Sequence, residues 1–306
     1  MHTDIPSRTA EGIAGARARE SARPEGERLF YDPFAYHFLS SRVRLISRIP
    51  LLRALSRWRN RRCLPGMFGG LVARTRYFDD YLLTCLNNGT GQVVILGAGY
   101  DARAYRFQEC RAVTVFEVDR PATQRVKKEV LQRILGGLPG HVVFVPVRFN
   151  SENLGEKLPA GGYRSDRKTL FMWEGVTMYL TPEAVDATLA FIAGRSAPGS
   201  SVIFDYFPPS VAGGTCPYRE AKTLKEMVAR YGEALRFGIE PYEIDGFLTR
   251  RGFHRIRSIS AGECKARYFK GVYRELHVTR IFHFAHAEVP NHSPSTYPGA
   301  RRLPNL

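Results

Sequence analysis

Two glycines and two acids stand at a spacing that suits a nucleoside ligand. The short apolar run Val93-Val94-Ile95-Leu96 breaks into Gly97-Ala98-Gly99-Tyr100-Asp101. A strand ending this way in a parallel sheet puts its turn outside the carboxyl ends of the strands, where ligands bind. Glycines there let the backbone approach a ligand closely. A second run, Val113-Thr114-Val115-Phe116-Glu117-Val118-Asp119, closes on the acids Glu117 and Asp119. A carboxylate about 20 residues beyond the glycines can accept both hydroxyls of a ribose. The motif is GxG only, because Ala102 and Arg103 stand where the dinucleotide fingerprint has its third glycine. That glycine serves close helix–strand packing beside a pyrophosphate. Its absence fits a nucleoside cofactor without phosphate, such as S-adenosylmethionine, better than a nicotinamide or flavin.

The elements that would position these residues alternate along the chain. Further strands are expected at 142–147, 169–173, 201–206, 253–260 and 275–286, with helices at 67–87, from Pro121 to about Leu135, at 217–231 and at 241–251. Thr181-Pro182-Glu183 reads as a helix cap with proline in the first helical position. Alternation of this kind predicts an α/β fold: a doubly wound, mostly parallel, seven-stranded sheet with helices on both faces. Residues 1–28 are polar and read as a loosely ordered leading segment, residues 29–288 as one domain, and the Pro-rich 289–306 as a mobile tail.

Five blocks, in order, resemble the leucine carboxyl methyltransferase family, which includes tetracenomycin-type polyketide O-methyltransferases. They are Phe30-Tyr31-Asp32-Pro33-Phe34-Ala35, Ala73-Arg74-Thr75-Arg76-Tyr77-Phe78-Asp79-Asp80, Leu96 to Arg103, Phe116 to Pro121, and Trp173-Glu174-Gly175-Val176-Thr177-Met178-Tyr179-Leu180. The resemblance covers about residues 28–207. It implies a Rossmann-like class I methyltransferase fold with an N-terminal helical lid, and S-adenosylmethionine as cofactor. By the same resemblance Arg74 would hold the cofactor carboxylate and Glu174 would sit by its ammonium. The turn at Gly97, Ala98, Gly99 and Asp101 would take the methionyl part, and Asp119 the ribose hydroxyls. A guanidinium pairs a carboxylate in bidentate fashion, and a carboxylate suits an ammonium or a diol. One position departs from the family: its third strand commonly ends in an Asp that accepts from the adenine amine, and here Arg148 stands there, followed by Phe149. Arg148 cannot accept from the amine but can stack on the ring, while Phe149 offers a backbone N–H.

Charge and composition bound the function. The chain of 306 residues carries 45 Lys and Arg against 29 Asp and Glu, a net +16, which favours an anionic partner. No apolar run reaches the ~18–20 residues of a membrane span, and the first residues lack the apolar core of a secretory signal, so a cytoplasmic protein is expected. The five cysteines are scattered without a CxxC pair, and His283 and His286 fall on opposite faces of a strand, so no metal site is expected. Between Asp32 and Asp79 there is no acid, only arginines, among them Arg42, Arg44, Arg48, Arg53, Arg57, Arg59, Arg61 and Arg62. Val43, Ile46, Ile49, Leu52, Leu55 and Trp58 recur between them at helical spacing, with Pro50 set to split the helix. Such a helix is expected to pack its apolar stripe on its own domain, although basic amphipathic helices also lie on membranes.

The expected activity is O-methylation of a small, anionic substrate: a carboxylate on a natural-product or polyketide-like intermediate. A carboxylate is ionised at neutral pH and needs no general base, and no histidine ends a core strand. A lid at about 36–72 and an insertion at about 206–240 would shape the acceptor site, with Tyr179, Tyr206 and the arginines of 42–62 as candidate contacts. Methylation of a phenolic hydroxyl is the alternative enzyme reading. A basic nucleic-acid or membrane-associated protein that keeps the fold without catalysis is the alternative from another class, and both partners are the less favoured ones.

Overall fold

Five consecutive apolar runs make the centre of the sheet. The computed structural model describes residues 7–149 and 151–291. Its strands are β1 (Gln92–Leu96), β2 (Thr114–Asp119), β3 (Val142–Pro146), β4 (Thr169–Trp173), β5 (Ser201–Tyr206), β6 (His254–Ser260) and β7 (His283–Glu288). They form one seven-stranded sheet in the order β3-β2-β1-β4-β5-β7-β6. β1 to β5 pair in parallel, and only β7 runs antiparallel, between β5 and β6. Every residue of β1, β4 and β5 is buried, as strands covered by helices on both faces must be. The two apolar clusters lie on opposite faces of this sheet: Val93, Ile95 and Val115 belong to one, Val94, Phe116 and Phe171 to the other.

The helices named from here are α1 (Arg8–Ser21), α2 (Ser41–Arg48), α3 (Pro50–Cys63) and α4 (Met67–Asn87). Pro50 splits the basic segment as its chemistry requires: Ile49, the residue before it, is extended (ψ 114°), and a new helix starts at the proline. The helix after β2 runs Pro121–Leu135 and stops at Gly136, which takes the left-handed conformation. Thr181 caps the helix Pro182–Gly194 by accepting from the Ala184 N–H.

Three expectations are corrected. Within the expected loose segment 1–28, residues 8–21 form α1, which buries Ala14, Arg17 and Glu20. It is held by polar contacts rather than an apolar stripe: Arg17 pairs with Asp32 at 3.0 Å, and Glu20 accepts from the Leu29 N–H and the Tyr273 hydroxyl. The last strand begins at His283, not 275. The preceding segment instead crosses the start of α4, where the Thr279 N–H donates to the Gly66 carbonyl at 3.0 Å and Gly69 lies against the His277 carbonyl. Finally, α2 and α3 bury no residue at all, so their apolar stripe does not pack into the domain. The expected tail falls largely outside the described residues.

Candidate functional site

The turn after β1, the end of β2 and the end of β4 meet at one edge of the sheet around a cavity of about 270 Å³. Gly97 has φ +66°, and a Cβ there would stand 2.3 Å from Val176 Cγ2. A side chain would therefore be strained and would close the turn onto the β4 loop. The Gly99 N–H donates to Asp119 Oδ2, and the Arg120 N–H donates to Oδ1 at 2.6 Å. These bonds fix the carboxylate at the cavity wall with lone pairs to spare. Burial pushes the Asp119 carboxyl above its ordinary range, and the two backbone donors oppose it.

Below the cavity lies a buried ion network. Arg74, from the middle of α4, donates through Nε to Glu174 Oε1 at 2.9 Å and through Nη1 to Asp205 Oδ2 at 2.5 Å. Arg103 donates through Nη1 to the second Glu174 oxygen at 2.6 Å, through Nε to Asp79 at 2.7 Å, and also to Asp101. Arg106 completes the set on Asp79. Asp205 Oδ1 accepts from the Gly175 N–H at 2.6 Å, so both its oxygens act as acceptors, as those of an ionised carboxylate do. Burial raises the Glu174 carboxyl, but Arg103 and Arg74 outweigh it and hold the group below its ordinary range. Burial likewise opposes Arg103, Arg17 and Lys127 at Asp101, and again the cations win. Asp205 goes the other way, burial outweighing Arg74. The Nη2 of Arg74 is buried with no hydrogen-bond partner among the described residues.

Of the residues expected at the site, Arg74, Gly97, Ala98, Gly99, Asp101, Asp119, Arg148, Phe149, Glu174 and Tyr179 all line the cavity. Arg148 stands at its mouth, half-exposed, with its N–H donating to Glu152 Oε2 at 2.7 Å. Two expected residues lie elsewhere. Glu117 shares a sheet face with Asp119 but sits one pleat deeper, where Lys127 Nζ comes within 2.7 Å of its carboxylate. Tyr206 is a core residue, its ring stacked on His283 and its hydroxyl 2.9 Å from Ser258 Oγ. The arginines of 42–62 do not line the cavity either.

Several lining groups were not expected. α1 roofs the cavity with Thr9, Ala10, Ile13 and Arg17. Glu233 fastens that roof: it accepts from Ser7 at 2.7 Å, from Thr9, and from Arg120 at 3.2 Å. Asp205, a lone acid inside an apolar strand, carried a readable signal; Arg103, one step past the glycine turn, carried another.

The family model for leucine carboxyl methyltransferase matches residues 10–193. A Bacillus subtilis protein provisionally named an S-adenosyl-L-methionine-dependent methyltransferase, YktD, is 30% identical over 217 residues, 71% of each chain. A Mycobacterium avium protein with the same provisional name is 32% identical over 267 residues, 80% of this chain and 82% of that one. Among solved structures, a provisionally named methyltransferase from Thermobifida fusca superposes with a TM-score of 0.55 at 15% identity, covering 79% of this chain and 89% of that one; it shows the fold.

Proposed function

The chain belongs to the leucine carboxyl methyltransferase family and is an S-adenosylmethionine-dependent methyltransferase, and on that premise we propose that it methylates the carboxylate of a small, anionic molecule, such as a polyketide-like acid. The observation that carries the cofactor site is the charge of the network under the cavity. Three guanidiniums, those of Arg74, Arg103 and Arg106, meet four carboxylates, those of Asp79, Asp101, Glu174 and Asp205, leaving one excess negative charge. S-adenosylmethionine has one carboxylate against an ammonium and a sulfonium, and so is its complement. The unpartnered Nη2 of Arg74 is a donor that a ligand carboxylate would satisfy. Glu174 would face the ammonium, and Asp119, held by two backbone N–H groups, the ribose hydroxyls.

When bound, the cofactor supplies a methyl group activated by a sulfonium leaving group. The chain contributes position and a dry wall. Ala10, Ile13 and Val176 line the cavity with apolar surface, and the Glu233 bonds hold α1 across it. No described histidine lines the cavity. Glu233 has both oxygens engaged by donors, and burial pushes the Tyr179 phenol well above its ordinary range, so neither is a ready base. A carboxylate acceptor needs none. Arg120 and Arg148 at the lining supply positive charge for such an acceptor.

The test has two stages. Calorimetric titration should show binding of S-adenosylmethionine and S-adenosylhomocysteine and none of NAD. Transfer of labelled methyl to a panel of aromatic and polyketide-like carboxylic acids should then give a product that releases methanol on mild alkali. Label that survives alkali would mark a phenolic ether and overturn the carboxylate reading. Failure of both cofactor titrations on folded protein would overturn the cofactor site.

A further inference from the structure

The segment between the first packed turn and α4 carries a run of arginines with no acid among them. Residues 41–63 hold eight arginines, and no acid occurs from Pro33 to Phe78. Among the described residues none of those eight pairs with a carboxylate; Arg48 donates to the Tyr36 hydroxyl at 3.0 Å and Arg62 lies over the Trp58 ring. The crowding is felt by the neighbours. Arg19 is pushed down to about 10 by burial and by Arg57, Arg23 and Arg61. Burial and then Arg53, Arg23 and Arg61 lower Arg57 in turn.

The same two helices expose their apolar residues. Leu51, Leu55 and Trp58 are 77%, 57% and 55% exposed, and their spacing puts them on one face of α3. Leu45 of α2 is 57% exposed as well. α3 meets the body at Arg57, beside Arg19, and against the helix Arg219–Arg230. A solvated charge run would not need the leucines, and a packed amphipathic helix would not leave them in water.

We propose that α2 and α3 dock this protein on a bilayer carrying anionic head groups, with Leu51, Leu55 and Trp58 entering the acyl boundary and the flanking arginines meeting the phosphates. Charge decides between occupants. A second copy docked on this face would press its flanking arginines against their own counterparts, with no acid in either segment to answer them. A nucleic acid would answer the arginines and leave the leucines without a partner. An anionic lipid surface answers both, and tryptophan with arginine is the pair that settles at such an interface. The helices would lie in the interface plane, since none among the described residues is long and apolar enough to span it. This inference stands independently of the methyl acceptor.

The full chain should be titrated with vesicles of phosphatidylcholine, with and without phosphatidylglycerol, while tryptophan emission is followed. Trp58 is half-exposed and Trp173 fully buried, so a change on binding reports Trp58. Binding should be at least about tenfold tighter on the anionic vesicles, with a blue shift and with quenching by brominated acyl chains. The shift should vanish in Trp58→Phe. Leu51→Asp with Leu55→Asp should lose binding while its circular dichroism melt stays that of the wild type. Absence of binding would overturn the proposal. So would binding without a blue shift that high salt abolishes, since that is attraction without insertion. A lipid-free blue shift that grows with protein concentration would overturn it in favour of self-association, and tighter binding to RNA than to vesicles in favour of nucleic acid.

Discussion

Arg74 and Glu174, 100 residues apart in the chain, meet at 2.9 Å beneath the cavity. One stands in the middle of α4 and the other at the end of β4, so the pair ties the helix to the carboxyl edge of the sheet. A third member, Asp205 at the end of β5, takes the other side of the same guanidinium. Taking two charges out of water is costly, and such a pair is worth keeping only where geometry is good or function requires it. On the proposed reading the spare Nη2 of Arg74, a donor for the cofactor carboxylate, would supply the functional reason.

Removing Arg74 should therefore act twice. Arg74→Ala strands Asp205 as a buried anion and leaves Glu174 to Arg103 alone, and the loss of one partner of a buried pair costs about 3–5 kcal/mol. Unfolding by urea should show that directly. Arg74→Lys keeps the charge but not the fork. It should fold, and it should bind S-adenosylhomocysteine about tenfold or more weakly by calorimetry. Unchanged affinity in a folded Arg74→Lys protein would remove Arg74 from the cofactor site.

Asp119 offers the cleaner test of the ribose assignment. Asp119→Asn keeps size and one acceptor but loses the charge that Gly99 and Arg120 now address with their N–H groups. Hydrogen bonds to a charged group are worth about 1.5–3 kcal/mol, so affinity for S-adenosylmethionine should fall roughly ten- to a hundredfold. The deoxy analogue lacking one ribose hydroxyl should then discriminate poorly between variant and wild type. An equal loss for both proteins on deoxygenation would place the diol elsewhere.

How much of this could be read beforehand followed from the kind of force involved. β1 to β5 were legible because continuous apolar runs have one economical fate, the middle of a covered sheet. Asp119 was legible because a carboxylate at the mouth of a strand has few structural uses. α1 was not: two of its three buried residues are Arg17 and Glu20, held by partners such as Asp32 and Tyr273 that no local pattern links to it. Glu117 misled because it shares type and face with Asp119, and its neutralising Lys127 lies on the following helix. The helical spacing in α2 and α3 was plain, but periodicity fixes which residues share a face and says nothing of what that face meets.

The Gly97 turn predicts a coupling. Gly97→Ala forces a side chain into φ +66° and brings its Cβ to 2.3 Å from Val176 Cγ2. The backbone part costs about 1–2 kcal/mol and the overpacking about 1–3 kcal/mol. Val176→Ala should relieve the second and leave the first. In a double-mutant cycle the melting temperature of Gly97→Ala should therefore recover in part when Val176 is shortened. Full additivity would mean that the turn does not meet Val176 in solution.

Acid should unfold the protein through the same network that forms the site. Glu174 and Asp101 are held below their ordinary range once the cations outweigh burial. A carboxyl whose native pKa is depressed contributes stability that is fully present above its unfolded value of about 4 and is lost as the pH falls toward the native one. Asp205, raised by burial, works in the opposite sense and offsets part of that loss. The urea midpoint should therefore hold steady at neutral pH and drop below about pH 4. Glu174→Gln should start from a lower plateau, because Arg74 and Arg103 lose a charged partner, and should fall less steeply in acid, because one linked proton is gone. Parallel curves for the two proteins would show that Glu174 takes up no extra proton on unfolding, and the ion network would then need another carrier for its pH dependence.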